Sequence, residues 1–269
     1  MSEWIVVAPF DPITEQELRW ILRRRNELHA GSVIVKPNGE GIASLAQRQE
    51  MVKRAIAPYR HLSLHGTTLE PQLLVLPEEL LSSEKIVRQG RYDKAARGIR
   101  KLLAESGVYF VESVNALCKP GRAAHSRSVA QVCRELASAH HLDAEQAWKA
   151  GILHDITKAW SDEAGRAFLQ VYEPDKVSLN PKIYHSLTAP VFLKTVMGIQ
   201  DKAILHAIRT HTLGDGHTDL DYILYIADKI EPTRGYDTRK ETALAKEDLK
   251  AAFELVMKEA EDYRERRGE

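Results

Sequence analysis

The sequence predicts two domains, an N-terminal α/β domain with a parallel sheet over residues 1–110 and an all-α helical bundle over residues 111–269. The first segment begins with a strand, a helix and a second strand, whereas the rest carries apolar stripes at helical spacing. A chain of 269 residues is long enough for two modest domains.

The N-terminal elements follow from short apolar runs. Trp4–Ala8 is β-branched and apolar, which predicts a strand, and the turn Pro9–Pro12 leads into a helix over residues 15–28. Ser32–Val35 predicts a second strand, so the order strand, helix, strand indicates a parallel unit. Helices over 44–57 and 83–104 and a short strand near Leu62–Leu64 complete the predicted domain.

Six potential metal ligands are spread through the C-terminal half. They are His125, His154, Asp155, His185, His211 and Asp228. His125 continues the apolar stripe of Val129, and Asp228 continues that of Leu224, so these side chains face a core. Taken alone, an inward histidine is more often a hydrogen-bonded core residue. An inward carboxylate needs a partner, and no basic side chain shares the stripe of Asp155 or Asp228, which favours bound cations.

The adjacent pair His154 and Asp155 suits two ions. If the segment is helical, the two side chains point about 100° apart, so one binds a single ion while the other reaches between two. Imidazole and carboxylate ligands together suit iron, manganese, cobalt or zinc. We expect two transition-metal ions, with iron first and manganese or cobalt as alternatives. Four other histidines have no other potential ligands on a shared apolar stripe and are predicted to lie outside the site. They are His140, His141, His206 and His217.

Five motifs in order carry a family resemblance. They are RAAHSRSV at 122–129, GILHDITK at 151–158, YHSLTAPV at 184–191, IRTHTLG at 208–214 and LYIADKIEPTR at 224–234. This pattern resembles the HD superfamily of metal-dependent phosphohydrolases, and within it the YqeK-type symmetrical diadenosine tetraphosphate hydrolases. The resemblance implies cleavage of a dinucleoside polyphosphate at its middle phosphoanhydride, giving two nucleoside diphosphates.

The same resemblance implies how the ligands are shared. His125, His154, Asp155 and Asp228 would hold one ion, and Asp155, His185 and His211 the other. A hydroxide bridging the two ions would be the nucleophile, and Asp155 and Lys158 are the predicted catalytic residues. Two alternatives stay open: an HD phosphohydrolase acting on another nucleotide or phosphate ester, or a metal-bound nucleotide-sensing module with little turnover.

Five residues are candidate substrate contacts. They are Lys158, Thr212, Gly214, Lys229 and Arg234. The guanidinium of Arg234 can bind two phosphate oxygens at once, and Pro232 stiffens the turn that presents it. Lys158 lies one turn beyond His154 if the helix persists, although a lone lysine is more often a solvated surface residue. The turn that contains Thr212 and Gly214 offers backbone N–H groups to phosphate, or simply ends a helix.

The composition of the chain narrows the range of expected binding partners. The 38 basic and 38 acidic residues give no bias toward nucleic acid or membranes, and the two cysteines predict small buried thiols. No basic-then-apolar leader and no long apolar run is present, which predicts neither a signal peptide nor a membrane span and makes the cytoplasm the expected compartment.

The N-terminal segment also carries a resemblance. FDPI at 10–13 and LSSEKIVRQGRY at 81–92 are similar to signatures of the nicotinate-nucleotide adenylyltransferases. Where that family has His-x-Gly-His, this chain has Thr14-Glu15-Gln16-Glu17, and its second signature has lost the threonine and the arginine, although Arg88 follows. We therefore predict a truncated, degenerate nucleotidyltransferase-like domain with a structural role. The alternative is that it binds a nucleotide or a partner and regulates the hydrolase.

The chain is predicted to close with one amphipathic helix over residues 239–266. One of its faces carries Leu249, Phe253, Val256, Ala260 and Tyr263. That face is expected to pack within the chain or across a homodimer.

Overall fold

The structure is a computed structural model that describes residues 2–67 and 70–267. Contacts within the chain divide it into two compact units. One unit contains the residues up to Ser113 together with Val196–Gly198, and the other contains Val114–Thr195 together with the residues from Ile199 onward.

The first unit contains a four-stranded parallel sheet in the order β3-β2-β1-β4. The strands are β1 (Glu3–Ala8), β2 (Ser32–Pro37), β3 (Leu62–Ser63) and β4 (Gln72–Leu74), and the helices are α1 (Glu15–Glu27), α2 (Leu45–Ile56), α3 (Glu78–Arg88) and α4 (Arg100–Ser106). β1 and β2 pair in parallel with α1 between them in sequence, which confirms the predicted α/β unit. Strand β4 was not predicted, because a three-residue edge strand is too short to show a sequence pattern.

The helix predicted over residues 83–104 is wrong. The chain forms α3, a short 3₁₀ turn at Tyr92–Lys94, and then α4. Gly90 and Gly98 lie between these elements with φ of 97° and 94°. Because residues with side chains rarely adopt such angles, the two glycines mark the points where the helix cannot continue.

The two signature segments of the N-terminal unit meet in the structure. Thr14 is the N-cap of α1 and forms a capping box with Glu17, and the hydroxyls of Thr14 and Ser83 lie 2.8 Å apart. The guanidinium of Arg88 donates to the carbonyl of Asp11 and lies 3.6 Å from its carboxylate. The residues at the signature positions are therefore bonded to one another and to neighbouring backbone.

Glu17 is buried, so it is not a charged side chain on a cleft surface. Burial, with repulsion from Glu84, raises its pKa well above the ordinary value, and burial likewise raises the pKa of Glu84. A carboxyl group whose pKa is higher in the folded than in the unfolded state favours folding at low pH, and this contribution is lost as pH rises through the folded-state pKa.

Glu17→Gln is therefore expected to raise the thermal unfolding midpoint, by more at pH 8 than at pH 5. The amide resembles the protonated acid and can still complete the capping box. Circular dichroism melts at the two pH values measure the effect. Glu15→Gln is the control, since Glu15 is part-exposed and pairs with Arg19. Equal midpoints for Glu17→Gln and the parent protein at pH 8 would contradict the assignment.

The second unit is helical. Helix α5 (Phe110–Leu117) leads into it, and its helices are α6 (Pro120–Ala139), α7 (Ala144–Leu153), α8 (Asp162–Tyr172), α9 (Tyr184–Phe192), α10 (Lys202–Thr210), α11 (Asp219–Ile230), α12 (Arg239–Glu247) and α13 (Leu249–Arg267). A Cβ on Gly151 of α7 would lie 2.6 Å from the Cα of Ala130 on α6. Only glycine permits this close approach, which brings the end of α7 against α6. Cys118 and Cys133 are free and buried, as predicted.

The single C-terminal helix predicted over residues 239–266 is wrong, because Asp248 is extended and separates α12 from α13. The ring of Phe253 packs 4.6 Å from that of Tyr222 and 5.1 Å from that of Tyr225 on α11. The apolar face of α13 thus packs within the chain over this part, while Tyr263 is exposed. Among the described residues, no helix combines the length and the apolar character needed to cross a membrane.

Candidate metal centre

His125 on α6 faces Asp228 on α11. Nε2 of His125 lies 3.0 Å from Oδ1 of Asp228, and both side chains are buried. On the other side of the same ring, Nδ1 of His125 lies 2.9 Å from Oε1 of Glu231, which is also buried. This carboxylate orients the imidazole, an arrangement common behind metal-binding histidines.

The pair His154 and Asp155 lies where α7 ends, since the helix stops at Leu153 and residues 154–159 form a turn. Nδ1 of His154 donates to the carbonyl of Gly151 at 2.7 Å. Its Nε2 is buried and has no hydrogen-bond partner within the described part of the chain, and it lies 3.5 Å from Asp155 and 3.7 Å from Asp228. A buried imidazole nitrogen facing two carboxylates suits a metal ligand.

The two oxygens of Asp155 face different histidines. Oδ2 faces His154, whereas Oδ1 lies 3.4 Å from Nε2 of His185 and 3.7 Å from Nε2 of His211. Nδ1 of His211 donates to the carbonyl of Ile208 at 2.6 Å, which repeats the arrangement of His154. Asp155 is therefore placed to be shared between two groups of ligands.

Two groups of three buried residues meet the spacing required for a metal ion, with ligand atoms within 4.8 Å of one another. The groups are His125, His154 and Asp155, and Asp155, His185 and His211. Asp228 adjoins the first group through His125 and His154. Ligand bonds of about 2.0–2.2 Å around one ion separate neighbouring ligand atoms by roughly 3–3.5 Å. The residues present thus fit a metal ion in each group after small side-chain adjustments.

The carboxylates are ionised in this setting. Although burial opposes it, His154 and His211 hold the pKa of Asp155 well below its usual range. Burial likewise opposes ionisation of Asp228, but Lys229, with His125, holds its pKa well below the usual range. Burial and the neighbouring His211 lower the pKa of His185 to about 3, so this ring is neutral at pH 7, as a metal ligand must be.

The carboxylates of Asp155 and Asp228 both have basic partners, contrary to the prediction from the sequence that no basic side chain accompanies them. Arg122 donates to Asp155 at 2.9 Å, Lys229 to Asp228 at 2.7 Å, and Arg234 to Asp228 at 2.9 Å. An apolar stripe relates residues of one helix only. It therefore gives no sign that Arg122 on α6 contacts the carboxylate of Asp155, which follows α7. The support for cations therefore comes from the His154 nitrogen and from the sharing of Asp155, not from uncompensated charge.

The region that contains these residues is similar to known proteins. The HD domain family model matches residues 122–233, a range that contains all six candidate ligands. A crystal structure from Clostridium acetobutylicum, described as a predicted HD superfamily hydrolase involved in NAD metabolism, superposes with a TM-score of 0.55. It has 27% sequence identity and covers 59% of this chain and 87% of that chain.

A Bacillus subtilis protein named symmetrical bis(5'-nucleosyl)-tetraphosphatase is 33% identical over 136 residues, which are 48% of this chain and 72% of that protein. The chain belongs to this HD-domain family. A Mycoplasma genitalium protein named probable nicotinate-nucleotide adenylyltransferase/Ap4A hydrolase is 29% identical over 189 residues, 66% of this chain and 53% of that protein. This chain thus spans about half the length of its Mycoplasma relatives.

Within the HD domain, Lys158 lies next to the second ligand group, although no helix carries it there. Its Nζ lies 3.0 Å from Nε2 of His185. Residues 154–159 form turns, in which the N–H of Lys158 donates to the carbonyl of Asp155, so the helix does not persist as far as Lys158. Burial lowers the pKa of Lys158, and the cations Arg122 and Lys229 add to this effect.

Thr212 and Gly214 have different surroundings. The hydroxyl of Thr212 lies 3.0 Å from Nε2 of His185 and 3.2 Å from Nε2 of His211, beside the ligand nitrogens. The N–H of Gly214 instead donates to the carbonyl of Thr210 at 2.8 Å, and a Cβ there would lie 2.9 Å from the ring of Tyr225. The structure brings Thr212 into the cluster but uses the Gly214 amide to end α10.

Two residues that contact the candidate ligands, Arg122 and Glu231, were not predicted from the sequence. Both lie inside the matching motifs, three residues before His125 and three residues after Asp228. On a helix, residues three apart share a face, so this spacing from a ligand was the available signal for Arg122. Glu231 follows the end of α11, where helical spacing no longer applies.

Proposed function

We propose that this protein hydrolyses dinucleoside polyphosphates symmetrically, with diadenosine tetraphosphate as the substrate and two molecules of ADP as the products. The observation that carries the proposal is that two ligand groups share Asp155 and each adjoins its own cavity. His125 lines one cavity and His185 lines the other. A substrate whose polyphosphate crosses the centre and extends into both cavities matches this arrangement. The names of the Bacillus and Mycoplasma relatives support this choice.

The cavity beside His185 has a volume of about 350 Å³. It is lined by Lys158, Trp160 and Tyr184, among others. Aromatic walls and a nearby ammonium group suit a nucleoside that carries phosphate, because the rings can contact a base while the cation faces the charge. We assign one nucleoside half of the substrate to this cavity.

The cavity beside His125 has a volume of about 180 Å³ and a different lining. Arg122, Arg234 and Thr233 contribute polar groups to it. Guanidinium groups bind phosphate oxygens well, so this side suits the polyphosphate as it leaves the centre toward the second nucleoside.

His125, His154, Asp155 and Asp228 would hold one ion, and Asp155, His185 and His211 the other; we expect iron, with manganese or cobalt as alternatives. When bound, such ions lower the pKa of water and neutralise charge on the attacked phosphoryl group. Glu231 orients His125, and the carbonyls of Gly151 and Ile208 orient His154 and His211. Lys158 is placed to neutralise charge on the leaving nucleoside diphosphate.

The test is to resolve the products of diadenosine tetraphosphate by chromatography after turnover in water labelled with heavy oxygen. ADP alone is expected, with the label on one ADP of each pair, since water attacks phosphorus. AMP plus ATP would rule out symmetrical cleavage. Parallel reactions with nucleoside triphosphates and monophosphates address the alternative substrates, and binding without turnover would favour a sensor.

We propose that residues 1–110 form a structural domain and that residues 111–269 hold the hydrolytic centre. The N-terminal signature positions are bonded among themselves: Thr14 contacts Ser83 and Glu17, and Arg88 contacts Asp11. None of the four residues Thr14 to Glu17 is a histidine, the residue type that the resembled family uses there.

The protein of residues 1–269 is therefore expected to form no dinucleotide from ATP and nicotinate mononucleotide. The assay is done in an Asp155→Ala background so that hydrolysis cannot remove a product, with a competent adenylyltransferase as the positive control. Dinucleotide formation that survives Asp155→Ala would show that the N-terminal unit is active.

A further inference from the structure

We propose a third metal site, formed by His206, His217 and Asp221, which binds Zn²⁺ or a similar divalent transition-metal ion at the surface of the helical unit. The sequence offers no reason to group the two histidines, because eleven positions separate them. Asp221 lies seven positions before Asp228 on α11, which places the site roughly 10 Å from that ligand along the helix axis.

The three side chains have the spacing of a metal site. One nitrogen of each imidazole and one oxygen of Asp221 lie within 4.8 Å of one another. The rings of His206 and His217 have centroids 5.5 Å apart and planes 78° apart. Within the two candidate ligand groups, the rings of His125 and His154 have centroids 5.3 Å apart and planes 66° apart, and those of His185 and His211 have centroids 5.3 Å apart and planes 69° apart. The surface pair thus reproduces, within a few tenths of an ångström, the arrangement found among the candidate ligands.

Asp221 is held in place before any ion binds. Its Oδ2 accepts from the backbone N–H groups of His217 at 3.0 Å and Thr218 at 2.9 Å, and its Oδ1 lies 2.9 Å from Nδ1 of His206. Although burial opposes it, the bond from His206, with those from Thr218 and His217, keeps the pKa of Asp221 below its usual value. The site therefore contains a fixed negative charge beside two imidazoles.

The histidines are open to solvent, so an ion can enter without unfolding. The side chain of His206 is 42% exposed and that of His217 is exposed. For an ion to bind through Nδ1 of His206, the neutral ring takes the tautomer with its proton on Nε2: the Nδ1 proton passes to water, Nε2 takes a proton from water, and the ion replaces the proton beside Asp221. Two imidazoles and one carboxylate leave at least one position for water, a ligand set that suits zinc and also nickel or copper.

An ion here would fasten the connection between α10 and α11. His206 lies on α10, His217 in the connecting loop and Asp221 in the first turn of α11. The same loop carries Thr212, whose hydroxyl lies beside the nitrogens of His185 and His211. Zinc binding is therefore expected to slow amide hydrogen exchange in residues 213–217 and so to restrain the backbone that follows Thr212.

The experiment is equilibrium dialysis of the full-length protein against a series of free zinc concentrations, with bound zinc counted by elemental analysis. The parent protein is expected to bind one more zinc ion per chain than His217→Ala or His206→Ala. His141→Ala is the matched control, since His141 is also exposed but lies just beyond α6. It is expected to bind as many ions as the parent.

The difference between the parent and its variants isolates this site, whatever number of ions the six candidate ligands of the metal centre hold. The outcome is therefore independent of the proposed hydrolytic function. Equal zinc counts for the parent and His217→Ala would overturn the proposal. Equal slowing of exchange in residues 213–217 by zinc in both proteins would overturn it as well. The side chain of His217 is exposed and its N–H bond to Asp221 is made by the backbone, so the alanine variant retains the local fold.

Discussion

Replacing Asp155 by alanine is expected to lower the rate of diadenosine tetraphosphate hydrolysis by roughly 10³-fold or more, the scale that follows loss of a central catalytic group. The reason is its position, since Oδ1 faces His185 and His211 while Oδ2 faces His154. Loss of this one carboxylate would therefore remove a candidate ligand from both groups. We expect the variant to lose both ions, and the effect to appear in kcat even at saturating substrate.

Elemental analysis and steady-state kinetics on the same preparations measure this effect. Asp155→Asn keeps the side-chain volume and separates loss of charge from loss of packing around Arg122. The matched control is Asp175→Asn, because Asp175 is an exposed aspartate of the same unit that pairs only with its neighbour Lys176 among the described residues. Full metal content and an unchanged kcat in Asp155→Ala would contradict the sharing of Asp155 between two ions.

Arg234→Ala is expected to lower kcat/KM by about 10- to 150-fold, which corresponds to the roughly 1.5–3 kcal/mol of a charge-assisted contact. On the sequence alone, this arginine is a phosphate contact, and its loss should mainly raise KM. The structure adds a second role, because Nε and Nη2 donate to the backbone carbonyl of Asp228 and Nη2 donates to its carboxylate. Loss of these bonds frees a candidate ligand, so kcat should fall as KM rises.

Two further variants separate the roles of Arg234. Arg234→Lys keeps a positive charge for phosphate but cannot make the forked contact with Asp228, so it should recover KM more than kcat. Arg239→Ala is the control, since Arg239 is 92% exposed in its side chain and pairs with Asp237. Unchanged kinetics in Arg234→Ala would remove this residue from the site.

Much of the helical unit could be predicted from sequence because the relevant pattern is local. Residues three and four apart on a helix share a face, so the apolar neighbours of His125 and Asp228 indicated that both point into a core, and both are buried. The first two strands of the N-terminal unit could also be predicted from a local pattern, since each of them is a short apolar run, and they pair in parallel.

The ends of elements were less predictable. A helix continues or stops according to the backbone angles of single residues, and Gly90, Gly98 and Asp248 interrupt predicted helices that periodicity alone extends through them. The turn after Leu153 is a further case. Helical spacing relates Lys158 to His154 only if the helix persists, whereas in the structure Lys158 lies in the turn and its Nζ is 3.0 Å from Nε2 of His185.

The sequence by itself determined which residue types are available for metal chemistry and, for His125 and Asp228, which face of the helix they occupy. Only the tertiary structure decided the partnerships: Arg122 with Asp155, Glu231 with His125, and His206 with Asp221. Each of these contacts joins different elements of the fold. Helical periodicity relates neighbours along one helix only, so the direction and distance between helices, and hence every such pairing, depend on how the whole core packs.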